Sequence, residues 1–172
     1  WKHKEYNFVT GDCPMSTLTV DTIQGKTTAG TVAMPAGHVV QFVNSNANAA
    51  IVTTSTSDVD TGITLSITPK FSTSKLWILF SGRLYINQHS SEYVLYIKNG
   101  STTIGGGATL FSGSSGDRMA ETCNIQCFHS PNSTSQQTYK VTHRVSAGEG
   151  HIMPNSHPND VGANFVILEI AQ

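Results

Sequence analysis

Residues 59–69 read VDTGITLSITP, and this stretch decides the fold class. Apolar or β-branched residues occupy every second position, at Val59, Thr61, Ile63, Leu65 and Ile67. A period of two places these side chains on one face of an extended strand. Pro69 ends the strand, since proline has no N–H to donate to a neighbouring strand. The stretch therefore predicts an antiparallel strand with one buried face and one face in solvent.

The next stretch, residues 76–86, has the same period, but both of its faces are partly apolar. One face is formed by Leu76, Ile78, Phe80, Leu84 and Ile86. The opposite face carries Trp77, Leu79 and Tyr85, together with Ser81 and Arg83. Since a strand at the surface needs apolar side chains on one face only, this pattern predicts that the second face is covered as well.

Residues 93–104 predict a β-hairpin. Two runs rich in β-branched and aromatic residues flank Asn99-Gly100, a dipeptide that supplies two positive φ angles for a tight turn. Further strands are predicted at Thr122 to His129, Gln137 to Val145 and Asn164 to Ala171. No helical spacing of useful length occurs, so roughly eight strands favour an all-β fold, an antiparallel two-sheet sandwich or jelly roll.

The last predicted strand, Asn164 to Ala171, also has apolar side chains on both faces. Val166, Leu168 and Ile170 form one face, whereas Phe165 and Ile167 belong to the other. A final strand that is covered on both sides indicates contact with another subunit. We therefore expect subunit contacts at Trp77, Leu79, Tyr85, Phe165 and Ile167.

The first 37 residues differ in character from the rest. Residues 1–14 carry four charged and three aromatic side chains, and because residue 1 is Trp we expect either that residues precede it or that the gene product begins at Met15. Glycines and a proline interrupt residues 15–37, which predicts an extended arm ahead of a jelly-roll domain at 38–172. The apolar arm residues expected to dock on a neighbouring protein are Leu18, Val20, Ile23, Val32 and Met34.

The composition excludes several classes of protein. Charged residues make up 12% of the chain against a usual ~25%, and the 31 residues from Thr27 to Ser57 include none, so this segment needs a surface to lie against. A net charge of -1 gives no concentrated positive field, so nucleic acid is not an expected partner. The longest apolar run, residues 76–80, is far shorter than the ~20 residues that span a bilayer, so we expect no membrane partner. Three cysteines in a chain of this length predict free thiols, made in a reducing cytoplasm.

Three groups of residues suggest metal or acid–base chemistry, and a structural role fits each of them better. They are His151 with His157 and Asp160, Cys123 with Cys127 and His129, and Asp58 with Asp60. Their spacings match no zinc pattern, and alternation along a strand explains the cysteines as small core residues. The glycines at 105–107 and the serines at 112–115 lack the flanking residues of a phosphate loop or a hydrolase elbow. We therefore expect no cofactor, no metal and no enzymatic activity.

Four stretches carry a resemblance to a known family. They are MSTLTVDTIQGKTTAGTVAMPAGHVVQ at 15–41, STSDVDTG at 55–62, ITPKFSTSKLWILFSG at 67–82 and FVILEIAQ at 165–172. Together they resemble small virion structural proteins of tailed marine bacteriophages of the cyanophage type. Residues 1–14 lie outside the resemblance. It implies a short N-terminal segment followed by a jelly roll similar to the tumour necrosis factor-like heads, which assemble as homotrimers, and it carries no catalytic motif.

Two functions follow as expectations. The first is a trimeric capsid decoration, or cement, protein on the virion surface, which grips the major capsid protein or another virion protein through residues 1–37. The chain has no shaft repeats, and this favours a compact knob over a long fibre. The second is a tail-fibre or head-fibre tip whose loops, residues 105–118 and 151–160, contact a host surface receptor or glycan, since such loops tolerate change.

Overall fold

The structure, a computed structural model, describes residues 36–111, 119–153 and 162–172, and for residues 108–111 and 153 it describes the backbone alone. The extension at 1–14 and the arm residues Leu18, Val20, Ile23, Val32 and Met34 lie outside these ranges. None of the described residues is helical, and so none forms a helix long and apolar enough to cross a membrane.

Ten strands are found in the described part of the chain. They are β1 (Val39–Ala47), β2 (Ile51–Thr53), β3 (Val59–Ile67), β4 (Lys75–Ile86), β5 (Glu92–Asn99), β6 (Thr102–Phe111), β7 (Met119–His129), β8 (Gln137–Val145), β9 (Gly150–Met153) and β10 (Ala163–Ile170). The predicted strand at 137–145 is confirmed to the residue. Those that begin at Val59, Thr122 and Asn164 are confirmed with shifted ends.

The strands form two antiparallel sheets. The four-stranded sheet has the order β3-β8-β5-β6, and the six-stranded sheet has the order β1-β10-β4-β9-β2, with β7 also paired to β4. Strand β10 pairs with residues 75–81 of β4 and β9 with residues 83–86, so these two strands share one edge of β4 and β7 takes the other. The prediction of an all-β chain with two antiparallel sheets is confirmed.

The core lies between the inward faces of the two sheets. Every predicted inward residue of β4 is at most 2% exposed, as expected from the period of two: Leu76, Ile78, Phe80, Leu84 and Ile86. Strands β5 and β8 supply much of the opposite wall. Their fully buried side chains are Tyr93, Leu95, Ile97, Tyr139, Val141 and Val145. Removal of this apolar surface from water is the main favourable term in folding.

The predicted hairpin is confirmed, but its turn is displaced by one residue. Asn99 pairs with Thr102, so the two loop residues are Gly100 and Ser101 and not Asn99 and Gly100. Among these residues only Gly100 has a positive φ, of 58°. Glycine at the first of two loop positions is the requirement of the other common tight hairpin turn, which twists the strands in the same sense.

The last strand also requires a correction. Phe165 and Ile167, predicted as subunit contacts, are fully buried in the core that the chain forms with itself. They contact the inward faces of their own two sheets and cannot reach another subunit unless the core opens. The outward side chains of β10 are those of Val166, Leu168 and Ile170, which are half-buried.

Glu169 fastens one end of the sandwich. Its buried carboxylate accepts hydrogen bonds from the Lys70 backbone N–H (2.7 Å), the Phe71 backbone N–H (3.3 Å), the Ser74 hydroxyl (2.6 Å) and the Gln41 side-chain amide (2.5 Å). One carboxylate therefore joins β1, β10 and the β3–β4 loop. Hydrogen bonds to a charged acceptor are roughly twice as strong as neutral ones.

We expect Glu169→Gln to lower the free energy of unfolding by about 2–4 kcal/mol. The amide presents one acceptor oxygen in place of two, and its NH₂ group faces donors that it cannot satisfy. Urea unfolding monitored by circular dichroism measures the change. Glu121→Gln on β7 is the matched control, since this exposed glutamate should tolerate the same substitution within about 0.5 kcal/mol. Equal urea midpoints for both variants would contradict this stabilising role of the Glu169 carboxylate.

Candidate functional site

The outward face of the six-stranded sheet carries apolar side chains in register across four strands. Pairing of β1 with β10, β10 with β4 and β4 with β7 aligns Phe42, Leu168, Trp77 and Phe128, which we call the apolar row. The row behind it, farther along β4, holds Asn44, Val166, Leu79 and Gln126. An apolar band therefore crosses this sheet on its solvent side.

Two members of the apolar row are unusually exposed for phenylalanine. Phe42 is 57% exposed and Phe128 is 59% exposed, and Val39 at the start of β1 adds another exposed apolar side chain. The Trp77 ring stacks on Phe128 at a centroid distance of 5.9 Å, and the Lys75 ammonium lies 5.8 Å above the same phenyl ring. A contiguous exposed apolar band of this kind is typical of a surface that binds another protein.

A shallow pocket of about 290 Å³ opens next to this band. Its lining residues are Leu79, Phe80, Ser81, Asn124, Ile125 and Gln126. The pairs Leu79–Gln126 and Ser81–Asn124 form its two walls, and because the side chains of Phe80 and Ile125 point into the core, their backbone forms the floor. The pocket thus has one apolar wall and a rim of side-chain amides.

The far end of the same face is more polar. Asn46, Asn164, Ser81 and Asn124 form a row of short polar side chains. Beyond this row the Tyr85 ring meets the His151 ring edge-on at 5.2 Å. Glu149 Oε2 lies 3.5 Å from Nε2 of that imidazole. The apolar character is therefore concentrated at the end where β1 begins.

The outer face of the four-stranded sheet is of the opposite kind. Lys98 Nζ lies 2.6 Å from Asp58, Arg144 Nε lies 3.4 Å from the same carboxylate, and Lys140 Nζ lies 2.9 Å from Asp60. We call this surface the ion-paired face. Each of the two aspartates, considered above for metal or acid–base chemistry, has a cationic partner of its own, which supports a structural role for both.

Histidine and tyrosine form two hydrogen-bonded pairs inside the sandwich. Tyr93 Oη lies 2.8 Å from His143 Nδ1, and Tyr139 Oη lies 2.8 Å from His129 Nδ1. Burial lowers the pKa of His143 to about 4 and also lowers the pKa of His129. Both imidazoles are therefore mainly neutral at pH 7, and each shares one hydrogen bond with a tyrosine hydroxyl.

The two described cysteines lie next to these pairs and point inward from β7. Burial raises the pKa of the Cys123 thiol to about 11 and raises that of Cys127 as well. A neutral thiol is a poor nucleophile and a poor metal ligand. Positions four apart on one strand also hold the sulfurs too far apart for a disulfide. This geometry supports core packing for Cys123 and Cys127.

The structure places the remaining sequence candidates as follows. Within residues 36–111, 119–153 and 162–172, no group of three or more His, Cys, Asp or Glu side chains is arranged to hold a metal ion. His157 and Asp160 lie outside the described residues, as do residues 112–118 of the predicted loop at 105–118, whereas residues 105–111 belong to β6. Trp77, Leu79 and Tyr85 all lie on the outward face of β4, where they are half-buried.

Sequence reasoning missed Phe42, Phe128 and the pocket. Each phenylalanine is the one aromatic residue on the outward side of its strand, where most other residues are polar or small, so neither strand shows a clear second apolar face. Only the cross-strand register brings them into line with Trp77. The sequence offered one clue: two large apolar side chains on an outward face, Trp77 and Leu79, need apolar neighbours on the adjacent strands.

Comparison with known proteins adds no relative. No model of a known protein family matches the chain, and a search of curated proteins finds no match. What the chain does is therefore inferred from its own residues, from the geometry of the outward face and from the resemblance described above.

We expect acid to destabilise the fold through His143. The unfolded chain takes up a proton near pH 6.5, whereas the folded chain resists it until about pH 4. The stabilisation is thus fully present above pH 6.5 and is lost as the pH falls toward 4, by up to about 3 kcal/mol. Urea unfolding at intervals between pH 7 and 4 measures the slope. His143→Gln should flatten it, and His38→Gln, at an exposed position, should not. An unchanged slope in His143→Gln would contradict this assignment.

Proposed function

We propose that the chain is a non-enzymatic virion structural protein of a tailed bacteriophage. In this proposal it is a homotrimeric capsid decoration protein, made in the host cytoplasm and held on the virion surface by its N-terminal arm. The contrast between the two outer faces of the sandwich carries the proposal. One face is ion-paired and suited to water, whereas the other presents an apolar row that needs a partner.

The order of the strands supports a jelly roll of the tumour necrosis factor-like kind. Four antiparallel pairs are nested in the sequence: β1 with β10, β3 with β8, β4 with β7 and β5 with β6. A long β-ribbon that folds over on itself produces this nesting, and it places alternate pairs in opposite sheets. The sheets β1-β10-β4-β7 and β3-β8-β5-β6 have this arrangement, and β2 and β9 extend the first of them.

A second copy of the chain is the partner that best fits the apolar face. Among the described residues, the charged side chains on this face are Lys75, Arg83 and Glu149, and they lie toward its ends. Copies related by a rotation axis bring identical charges near one another, so a central region without charge favours self-association. The proposed trimer contacts on this face are Trp77, Leu79 and Tyr85. The outward residues Val166 and Leu168 of β10 take the place of the two residues of that strand that are buried in the core.

The position of the arm supports attachment to the capsid. The proposed arm, residues 15–37, precedes β1 in the sequence, and a fully extended chain of 23 residues would reach roughly 75 Å, which is ample for contact with a neighbouring protein. Decoration requires one compact head and one anchor, and the described residues form one two-sheet head. The proposed receptor of the arm is the major capsid protein or another virion protein.

We expect Leu79→Glu to convert the proposed trimer to monomer. The substitution places a charge in the centre of the apolar face, and an unpaired buried charge costs several kcal/mol. Sedimentation equilibrium measures the mass, and circular dichroism checks that the sandwich is folded. Thr64→Glu, on the outer face of the four-stranded sheet, is the matched control and should remain trimeric. A monomeric parent chain would rule out the trimer itself.

The proposed location on the phage capsid is tested on intact virions of the phage that encodes the chain. We expect gold-labelled antibody to be spread over the capsid in electron micrographs. We also expect a chain lacking residues 1–37 to stay trimeric and to lose binding to undecorated heads. Label confined to tail or fibre tips would instead favour the receptor- or glycan-binding alternative. Unchanged head binding by the shortened chain would refute anchoring through the arm.

A further inference from the structure

Phe42 and the pocket are complementary features on one face of the sheet. Phe42 projects from β1, the edge strand, and is more than half exposed. The pocket lies between β4 and β7, at the other side of the same sheet. Two to three strand spacings of ~4.8 Å separate them, so the Phe42 side chain cannot fill the pocket of its own chain.

The other aromatic side chains of the apolar row are already engaged. Trp77 and Phe128 stack on each other, and Lys75 covers the Phe128 ring. Within the described residues, no ring or cation contact of this kind involves Phe42. A phenyl ring that is exposed and has no aromatic partner is suited to bury itself in another molecule, because aromatic anchors in pockets dominate binding energy at interfaces.

The pocket suits a phenyl ring in size and in chemistry. A cavity of roughly 150 Å³ is enough to hold benzene, and this pocket measures about 290 Å³. Leu79 offers an apolar wall to one side of a ring. The side-chain amides of Asn124 and Gln126 stand at the rim, where N–H groups can approach an aromatic face.

We propose that Phe42 of one copy inserts into the pocket of the next copy, and this inference rests on the proposed homotrimer. A closed ring of three requires two different patches on each chain, since the contact runs head to tail around the axis. Phe42 and the pocket are such a pair of patches, on opposite sides of one face. Each interface then contains one buried phenyl ring, and three such contacts close the ring.

Photo-crosslinking tests the contact in the full-length chain. Phe42 is replaced by p-benzoylphenylalanine, and the variant is assembled with an isotopically labelled parent chain. We expect crosslinks between light and heavy copies that mass spectrometry assigns to residues 79–81 or 124–126. The same probe at Phe71, which is exposed in the β3–β4 loop, should not label these residues. Crosslinks from position 42 to any other region of a trimer that stays intact would overturn the insertion and leave the trimer standing.

A complementation experiment provides an independent measurement. Phe42→Ala removes the ring, and Ser81→Trp fills the pocket. We expect each variant alone to be monomeric by sedimentation. In an equimolar mixture, Phe42 of the Ser81→Trp chain can enter the free pocket of the Phe42→Ala chain. Each pair of chains then has one intact interface, so the mixture should sediment as a dimer. Variants that both remain trimeric, or a mixture that stays monomeric, would overturn the insertion. A monomeric parent would show instead that the proposed trimer has failed.

Discussion

The rest of the structure depends on strand β4, which pairs with three strands while its inward face is buried. One edge of β4 pairs with β7 along nearly its whole length, and the other edge pairs with β10 and then with β9. Because the inward side chains of β4 are almost inaccessible to water, its register cannot slip by one residue without exposing all of them. The same register decides which outward side chains stand beside Trp77. Core packing and the composition of the outer surface are therefore fixed together.

Alternation in the sequence was enough to predict seven of the ten described strands and the inward face of β4, whereas β1, β2 and β9 were not predicted. It could not predict which of two apolar faces turns inward when both are present, as in β10. That choice depends on contacts with other strands and loops. The Glu169 carboxylate hydrogen-bonds with Lys70, Ser74 and Gln41 inside the sandwich. Because side chains alternate along a strand, Ile167 and Phe165, two and four positions earlier, point inward as well. The turn at Gly100 was displaced for a similar reason, since strand pairing on both sides of the loop decides which residues form it.

The candidate site shows the same division between local and non-local information. Trp77 and Leu79 were predicted as contacts from the strand that carries them. Phe42 and Phe128 were not, because their strands are mostly polar on the outward side and gain significance only beside their neighbours. The groups that look most reactive in the sequence, the cysteines and histidines of β7 and β8, are neutral and packed inside. The candidate site is instead an outer surface built from single residues of four strands.

The unlike outer faces of the sandwich respond differently to salt. At the ionic strength of sea water, attraction between exposed charges is screened over a few ångströms, so the pairs of Asp58 and Asp60 contribute little there. Apolar contacts are not screened, and strongly hydrated salts reinforce them. Subunit contacts through the uncharged face of the proposed assembly would therefore depend less on the surrounding electrolyte than the pairs of the ion-paired face do.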